Sequence, residues 1–252
     1  MDKGIIQLES VCKRLGDQSV LKDLNLTVPH GETLVIMGRS GAGKSVVLKH
    51  MIGLITPDAG GVYFDGKRLD NLNRAELNEV RKRMGMLFQG AALFDSMTVG
   101  ENISLGLRHH TDLTGAEIRR VVAEKLEAVG LSGIEDKIPS ELSGGMRKRV
   151  GLARAISMNP EVILYDEPTT GLDPITADAI NNLILDTQRQ FGVTTVVVTH
   201  DVNSAMKVGT VISLLVDGKI IFTGTAQEMK STDNPYVRQF VEGRAEGPHV
   251  QF

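Results

Sequence analysis

Eight consecutive residues, Gly38-Arg39-Ser40-Gly41-Ala42-Gly43-Lys44-Ser45, carry the strongest chemical signal in the chain. Their spacing is G-x-x-x-x-G-K-[ST], a pattern that cradles the phosphates of a nucleotide. Each residue type has a physical task. The glycines let the backbone turn tightly and aim its N–H groups at a β-phosphate. A helix starting at Lys44, with Val46 in its first turn, points the positive end of its dipole at the same place. Lys44 would contact the β- and γ-phosphates, and the Ser45 hydroxyl would ligate Mg²⁺. The plain alternative is a chance glycine-rich turn. An apolar strand before the motif and a helical pattern after it argue against that alternative.

A second cluster ends another apolar segment. Val162-Ile163-Leu164-Tyr165 runs into Asp166-Glu167 and then Pro168. Asp166 would hold Mg²⁺, directly or through water. Glu167 leaves the strand in a different direction and would orient and deprotonate an attacking water. Alone, such a pair is a solvated strand end; beside a phosphate cradle it gains weight.

Strand-like and helix-like segments alternate, which predicts an α/β architecture that positions both clusters. Residues 5–28 read as strands with a turn near Gly16-Asp17, and 33–37 as a buried strand. Residues 62–64 and 84–88 read as further strands. Asn73 with Glu76, and Thr114 with Glu117, are helix-start signals. The stretch 91–158 lacks strand patterning and reads as a helical lobe inserted in the core, ended by Asn159-Pro160. A helix over 175–190 and a strand over 194–198 follow. Asp217-Gly218 between two apolar runs predicts a hairpin. A helix over 236–242 closes the ordered part, and 243–252 reads as a loose tail.

The chain has 252 residues, 41% hydrophobic and 23% charged, with net charge −3, so composition gives no argument for nucleic acid as a partner. Cys12 is the single cysteine and reads as a small buried apolar residue. The N-terminus lacks the pattern of a signal peptide, and no window approaches the ~20 apolar residues of a membrane helix. Work at a membrane would require spanning segments from another chain.

Leu142-Ser143-Gly144-Gly145-Met146 narrows the reading. It resembles the L-S-G-G-Q signature of ABC ATPases, with Met146 in place of glutamine. Ser143 and the Gly144 and Gly145 amides form another helix N-terminus suited to phosphate. Other markers of that family stand in order: Gln89 after Phe88 (Q-loop), Gly171-Leu172-Asp173 (D-loop) and His200 after Thr199 (switch histidine). His109 and His110 have no such context and read as surface residues. Leu15 stands where many relatives place an aromatic that stacks on adenine, so apolar contact replaces π-stacking.

The resemblance covers essentially the whole chain. It implies a P-loop NTPase (RecA-like) core over residues 1–243, with an antiparallel β subdomain, the helical subdomain inserted at about 91–158, and a tail over 244–252. It implies binding and hydrolysis of ATP with Mg²⁺. The signature and Asp173 of one copy would complete the site of a second copy in a head-to-tail sandwich. Ser45, Gln89 and Asp166 are its implied metal ligands; Glu167, His200, Lys44 and Gln89 its implied catalytic groups.

Met84–Val99, Leu142–Val150 and residues 237–243 resemble the Mla/Mce-type branch of lipid transporter ATPases. That branch implies phospholipid trafficking in a bacterial envelope through a membrane permease, with an Mce-type lipid-binding protein and accessory subunits. It implies a peripheral location on the cytoplasmic face of the inner membrane. The alternatives are an ABC transporter for another cargo (amino acid, metal or drug) and a non-transport ABC ATPase acting on DNA or ribosomes. One P-loop, one signature and no sustained heptads disfavour the latter. In the family the segment after the Q-loop receives a coupling helix of the permease, with Phe94 and Met97 as candidate lining residues; core packing is the alternative. The run Arg147-Lys148-Arg149 reads as including a solvated helix face.

Overall fold

The computed structural model describes residues 4–248. The chain forms two compact units, one built from residues up to 73 together with those from 196 onward, the other from Arg74–Thr195.

The first unit holds two sheets. In one, β1 (Ile6–Leu15) pairs antiparallel with β2 (Gln18–Val28) and with β4 (Ala59–Phe64), and β5 (Lys67–Arg68) extends the edge. The turn between β1 and β2 sits at Gly16-Asp17 as expected. In the other sheet, β3 (Thr33–Met37) runs parallel to β9 (Val211–Val216), with Leu34 opposite Val211 and Met37 opposite Leu214. All five residues of β3 are buried, which is why its sequence after Thr33 is a continuous apolar run and not an alternating one. Each such side chain contributes about 1.5–3 kcal/mol by leaving water. β10 (Lys219–Gly224) returns antiparallel to β9 through Asp217-Gly218, both with positive φ, as a type I′ turn requires. β8 (Thr194–Thr199) lies on the other side of β3. Helix α1 (Lys44–Met51) follows β3.

The second unit pairs β6 (Met84–Leu87) and β7 (Val162–Asp166) in parallel, after helix α2 (Arg74–Lys82). Between those strands stand α3 (Val99–His110), α4 (Gly115–Ala128) and α5 (Gly144–Ile156), packed on one another. The capping boxes of α3 and α4, at Thr98/Glu101 and Thr114/Glu117, fix where each helix starts. α6 (Pro174–Phe191) ends on Gly192, whose left-handed backbone releases the chain into β8.

Back in the first unit, α7 (Val202–Val208), α8 (Ala226–Ser231) and α9 (Pro235–Glu242) complete the chain. α7 and α8 are short helices that the sequence patterning left unassigned. Cys12 departs from expectation: it is half-exposed, and its Sγ accepts a hydrogen bond from the Asp23 N–H at 3.2 Å. The first part of the expected tail also departs. Gln239 Nε2 donates to the Arg244 and Ala245 carbonyls, and Arg244 pairs with Glu242, so the chain folds back on α9. The rest of that expectation, residues 249–252, lies outside the described residues. Among the described residues no helix is long and apolar enough to cross a membrane.

Candidate functional site

In the first unit the buried strand β3 delivers the chain into the loop 38–43, and α1 leaves it. The loop turns on itself, with the Ala42 N–H donating to the Arg39 carbonyl at 3.1 Å. Gly43 caps α1 with φ +103 and offers no side chain. A Cβ there would stand 3.1 Å from Val20 Cγ1 and 3.2 Å from Leu21 Cδ2, so strand β2 closes one wall of the loop. Every helix from α3 to α9 begins on a side chain that accepts a hydrogen bond from its own first turn; α1 does not. No acidic residue stands in its first turn either. The positive end of α1 is therefore left for an external anion, which suits phosphate.

Lys44 is 6% exposed, and its Nζ donates to the carbonyls of Gly38 (2.9 Å) and Arg39 (3.1 Å). The ammonium is thereby held inside the loop. A recess of about 180 Å³ is lined by Arg39, Ser40, Gly41 and Ala42 and, from the β9–β10 turn, by Leu215, Val216 and Asp217. Ser45 and Val46 follow Lys44 in the first turn of α1. Leu15 ends β1, opposite Gln18, with 48% of its surface exposed. His200 is exposed at the end of β8, just before Asp201, which caps α7 by accepting from the Asn203 N–H.

In the second unit β7 ends on Asp166, and both Asp166 and Glu167 are buried. Glu167 has φ +47, a left-handed conformation disfavoured for a residue with a side chain. Local bonds hold it there. The Thr170 hydroxyl donates to Glu167 Oε2 at 3.0 Å, and the Thr170 N–H donates to the Glu167 carbonyl at 3.3 Å. The same carbonyl accepts from Lys148 Nζ at 3.3 Å, and Lys148 also donates to the carbonyl of Gln89. Burial holds the Lys148 ammonium below its usual pKa, and the charges of Asp166 and Glu167 oppose that shift. Gln89 itself is exposed just past β6. Two residues on, Ala91 and Ala92 take positive φ, and their carbonyls accept from the Arg154 guanidinium at 2.6 Å each.

Ser143 is the exposed N-cap of α5, and its Oγ accepts from the Met146 N–H at 3.2 Å. Gly144 and Gly145 open the first turn, which contains no acid. A Cβ on Gly145 would come within 2.7 Å of Thr176 Cγ2, so glycine is what lets α5 start against α6. Asp173 caps α6, accepting from the N–H groups of Ile175 and Thr176 at 3.0 Å each. The Thr176 hydroxyl and these amides hold its carboxyl below the usual range.

The structure thus collects residues 38–46, Leu15 and His200 in one unit, and Gln89, Ser143–Met146, Asp166, Glu167 and Asp173 in the other. His109 and His110 are exposed at the end of α3, as expected. The basic run includes a solvated face, as expected, but its centre lies inside. Arg147 is exposed but Lys148 is buried. The signal was present: Lys148, Leu152 and Ile156 recur at helical spacing on the buried stripe of α5. Thr170 and Arg154 were also missed, because their partners are main-chain carbonyls or a turn that sequence spacing does not expose. Ser45 in the first unit, and Gln89 and Asp166 in the second, each carry an oxygen of the hard donor type that suits Mg²⁺. Among the described residues no three His, Cys, Asp or Glu side chains converge to hold a metal by themselves.

Comparison with known proteins gives these features a family. Residues 21–170 match the family model described as ABC transporter. The chain is 43% identical over 245 residues to the intermembrane phospholipid transport system ATP-binding protein MlaF of Escherichia coli K12, covering 97% of this chain and 91% of that protein. It is also 43% identical over 249 residues to the probable ribonucleotide transport ATP-binding protein mkl of Mycobacterium leprae, covering 98% of this chain and 72% of that protein. Among solved structures, a dimeric post-hydrolysis state of the ATP-binding cassette MJ0796 with ADP and Pi superposes with TM-score 0.81 at 35% identity, covering 88% of this chain and 98% of that one. The cassette cbiO1 of Clostridium perfringens, part of the cbiONQ transporter complex, superposes with TM-score 0.83 at 30% identity over 96% of each chain.

Proposed function

The chain belongs to the ABC transporter family of ATP-binding subunits, and on that premise we propose that its hydrolysis of ATP drives phospholipid movement in a bacterial envelope through separate membrane-spanning subunits. The carrying observation is the end-to-end match to MlaF, 43% identity over 91% of that protein's length. The mkl match is equally identical and covers 72% of that longer protein. The finer picture is an Mce-type lipid-binding partner, accessory subunits and a seat on the cytoplasmic face of the inner membrane.

In this reading two copies close head to tail on two ATP molecules, each held by the 38–46 loop of one copy and the Ser143–Met146 turn of the other. Support comes from α1, whose first turn has neither an acid nor a side-chain cap, and from Ser143 with the two glycines that open α5. Lys44 holds the β- and γ-phosphates, and His200 meets the γ-phosphate. Leu15 lies against the base and Asp173 at the interface between copies. Ser45, Gln89 and Asp166 are the proposed Mg²⁺ ligands, and the ion neutralises charge on the phosphate oxygens when bound. Glu167 accepts a proton from the attacking water, with its carboxylate steadied by Thr170. Hydrolysis removes the ligand that favours the closed pair, and the pair reopens.

The test is reconstitution of the native complex in phospholipid vesicles. Phospholipid transfer that requires ATP, with turnover insensitive to added ribonucleotides other than ATP, is the expected result. ATP-driven ribonucleotide uptake without lipid transfer would replace this reading with the mkl-like one.

A further inference from the structure

We propose that Lys148 is a positioning residue for ATP hydrolysis: by donating to the main-chain carbonyls of both Gln89 and Glu167, it sets the signature helix, the loop after β6 and the general base in one register. The inference rests on the reading of Glu167 as the base and names what holds it in place.

Three observations carry it. Lys148 is only 6% exposed, yet it sits on a helix stripe otherwise made of Gly151, Leu152, Ala155 and Ile156. Burying an ammonium is costly, and an apolar residue of the same volume would pack there at lower cost if packing were the only task. Second, the two acceptors are carbonyls of residues that stand at the site, Gln89 and Glu167, and not arbitrary scaffold groups. Third, Glu167 sits at φ +47, a conformation that persists only where its surroundings over-determine it. The Thr170 N–H and Lys148 Nζ are both donors to its carbonyl, so Lys148 is one of the groups fixing that backbone.

The loop after β6 adds a geometric consequence. Its carbonyls at 89, 91 and 92 all accept from α5, the first from Lys148 and the others from Arg154. Gly151, on the same helix, leaves room for Leu87 and Ala91, since a Cβ there would stand 2.7 Å from Leu87 Cδ1. The loop therefore travels with the signature helix. Lys148 is the tie that also reaches the base, so displacement of α5 is felt at Glu167 through one side chain.

The test compares Lys148→Met and Lys148→Arg in the intact transporter complex. Loss of registration by a fraction of an ångström to an ångström lowers kcat for ATP by about 10²-fold. KM for ATP and the affinity for a non-hydrolysable ATP analogue should stay within about two-fold of wild type, because the phosphate-binding loop is untouched. The Arg variant, which keeps the charge and can donate to two carbonyls at once, should recover most of the loss. The midpoint of thermal unfolding of the Met variant should not fall, since an apolar side chain is at home on that stripe. A Met variant turning over at the wild-type rate overturns the proposal. So does a kcat loss matched by an equal loss of nucleotide affinity and unfolding temperature, which marks a scaffold role. If the Met variant fails to fold, Lys148→Gln takes its place, with a reduced kcat at unchanged KM expected and an unchanged kcat overturning the idea. Glu167→Gln run alongside separates the premises: normal turnover there removes Glu167 as the base, independently of what the Lys148 variants show.

Discussion

Replacing Asn102 by alanine should loosen the segment that follows the Q-loop without touching the nucleotide. Asn102 is fully buried in the first turn of α3. Its Oδ1 accepts from the Phe94 N–H at 2.8 Å, and its Nδ2 donates to the carbonyls of Phe94 (3.1 Å), Met97 (3.2 Å) and Thr98 (2.9 Å). One amide has two N–H groups, so three acceptors share two hydrogens and the side chain amounts to about three good bonds. At about 1 kcal/mol net for each, their loss costs about 3 kcal/mol. For a chain of this size that lowers Tm by roughly 6–12 °C. Phe94 projects from this segment with 49% of its surface exposed, so it is not packed in a core. Amide exchange should therefore accelerate at Phe94 and through residues 94–98, while the ATPase rate of the isolated subunit stays near wild type and permease-stimulated turnover falls. Differential scanning fluorimetry, exchange mass spectrometry and the two ATPase assays read these directly. A Tm drop below about 2 °C together with unchanged exchange at Phe94 would refute the reasoning that Asn102 is what orders the segment.

Lys44→Ala should weaken ATP binding and stop turnover, whereas Glu167→Gln should bind ATP normally, lose about 10²–10⁴-fold in hydrolysis and accumulate a closed pair visible by size-exclusion chromatography. A complex in which one copy carries Ser143→Arg and the other Lys44→Ala should retain one working site, because both lesions fall in the same composite site; no working site measured by nucleotide stoichiometry and phosphate release would end the head-to-tail model. His50 is fully buried, and desolvation lowers its pKa from the ordinary 6.5. The unfolded chain then binds the extra proton first, so stability is constant above about pH 7 and falls as pH drops through the unfolded value toward the folded one. His50→Leu should flatten that slope in urea titrations run between pH 5 and pH 8, and a slope unchanged by the substitution would assign the acid sensitivity elsewhere.

The parts of the fold written in local chemistry were legible in advance. The unbroken apolar run of β3, the cradle 38–45, the Asp217-Gly218 turn and the Thr114/Glu117 box each combine a residue type with a fixed spacing, and each appears where expected. The helices α7 and α8 escaped because they are only seven and six residues long, too short to show a 3.6-residue period. The Thr225/Glu228 capping box could have revealed α8. Lys148 escaped for a different reason. Charge argued for solvent, while its place on the α5 stripe argued for burial, and the acceptors that decide between them come from turns 59 residues before it and 19 after it. Cys12 and the Gln239 contacts with 244–245 are likewise long-side-chain or backbone encounters that composition cannot foretell.

The bare start of α1 reaches beyond the reaction. Helices α3 to α9 each complete a first turn with a side chain and α1 does not; in the proposed reading the phosphates of ATP take that place, so bound nucleotide lends part of the native state's cohesion. A ligand present at a hundred times its dissociation constant adds about 2.7 kcal/mol to the folded form. Starvation that drains triphosphate would then do more than idle the machine: it would thin the margin that keeps newly made copies from proteolysis, tying the abundance of this subunit to energy charge.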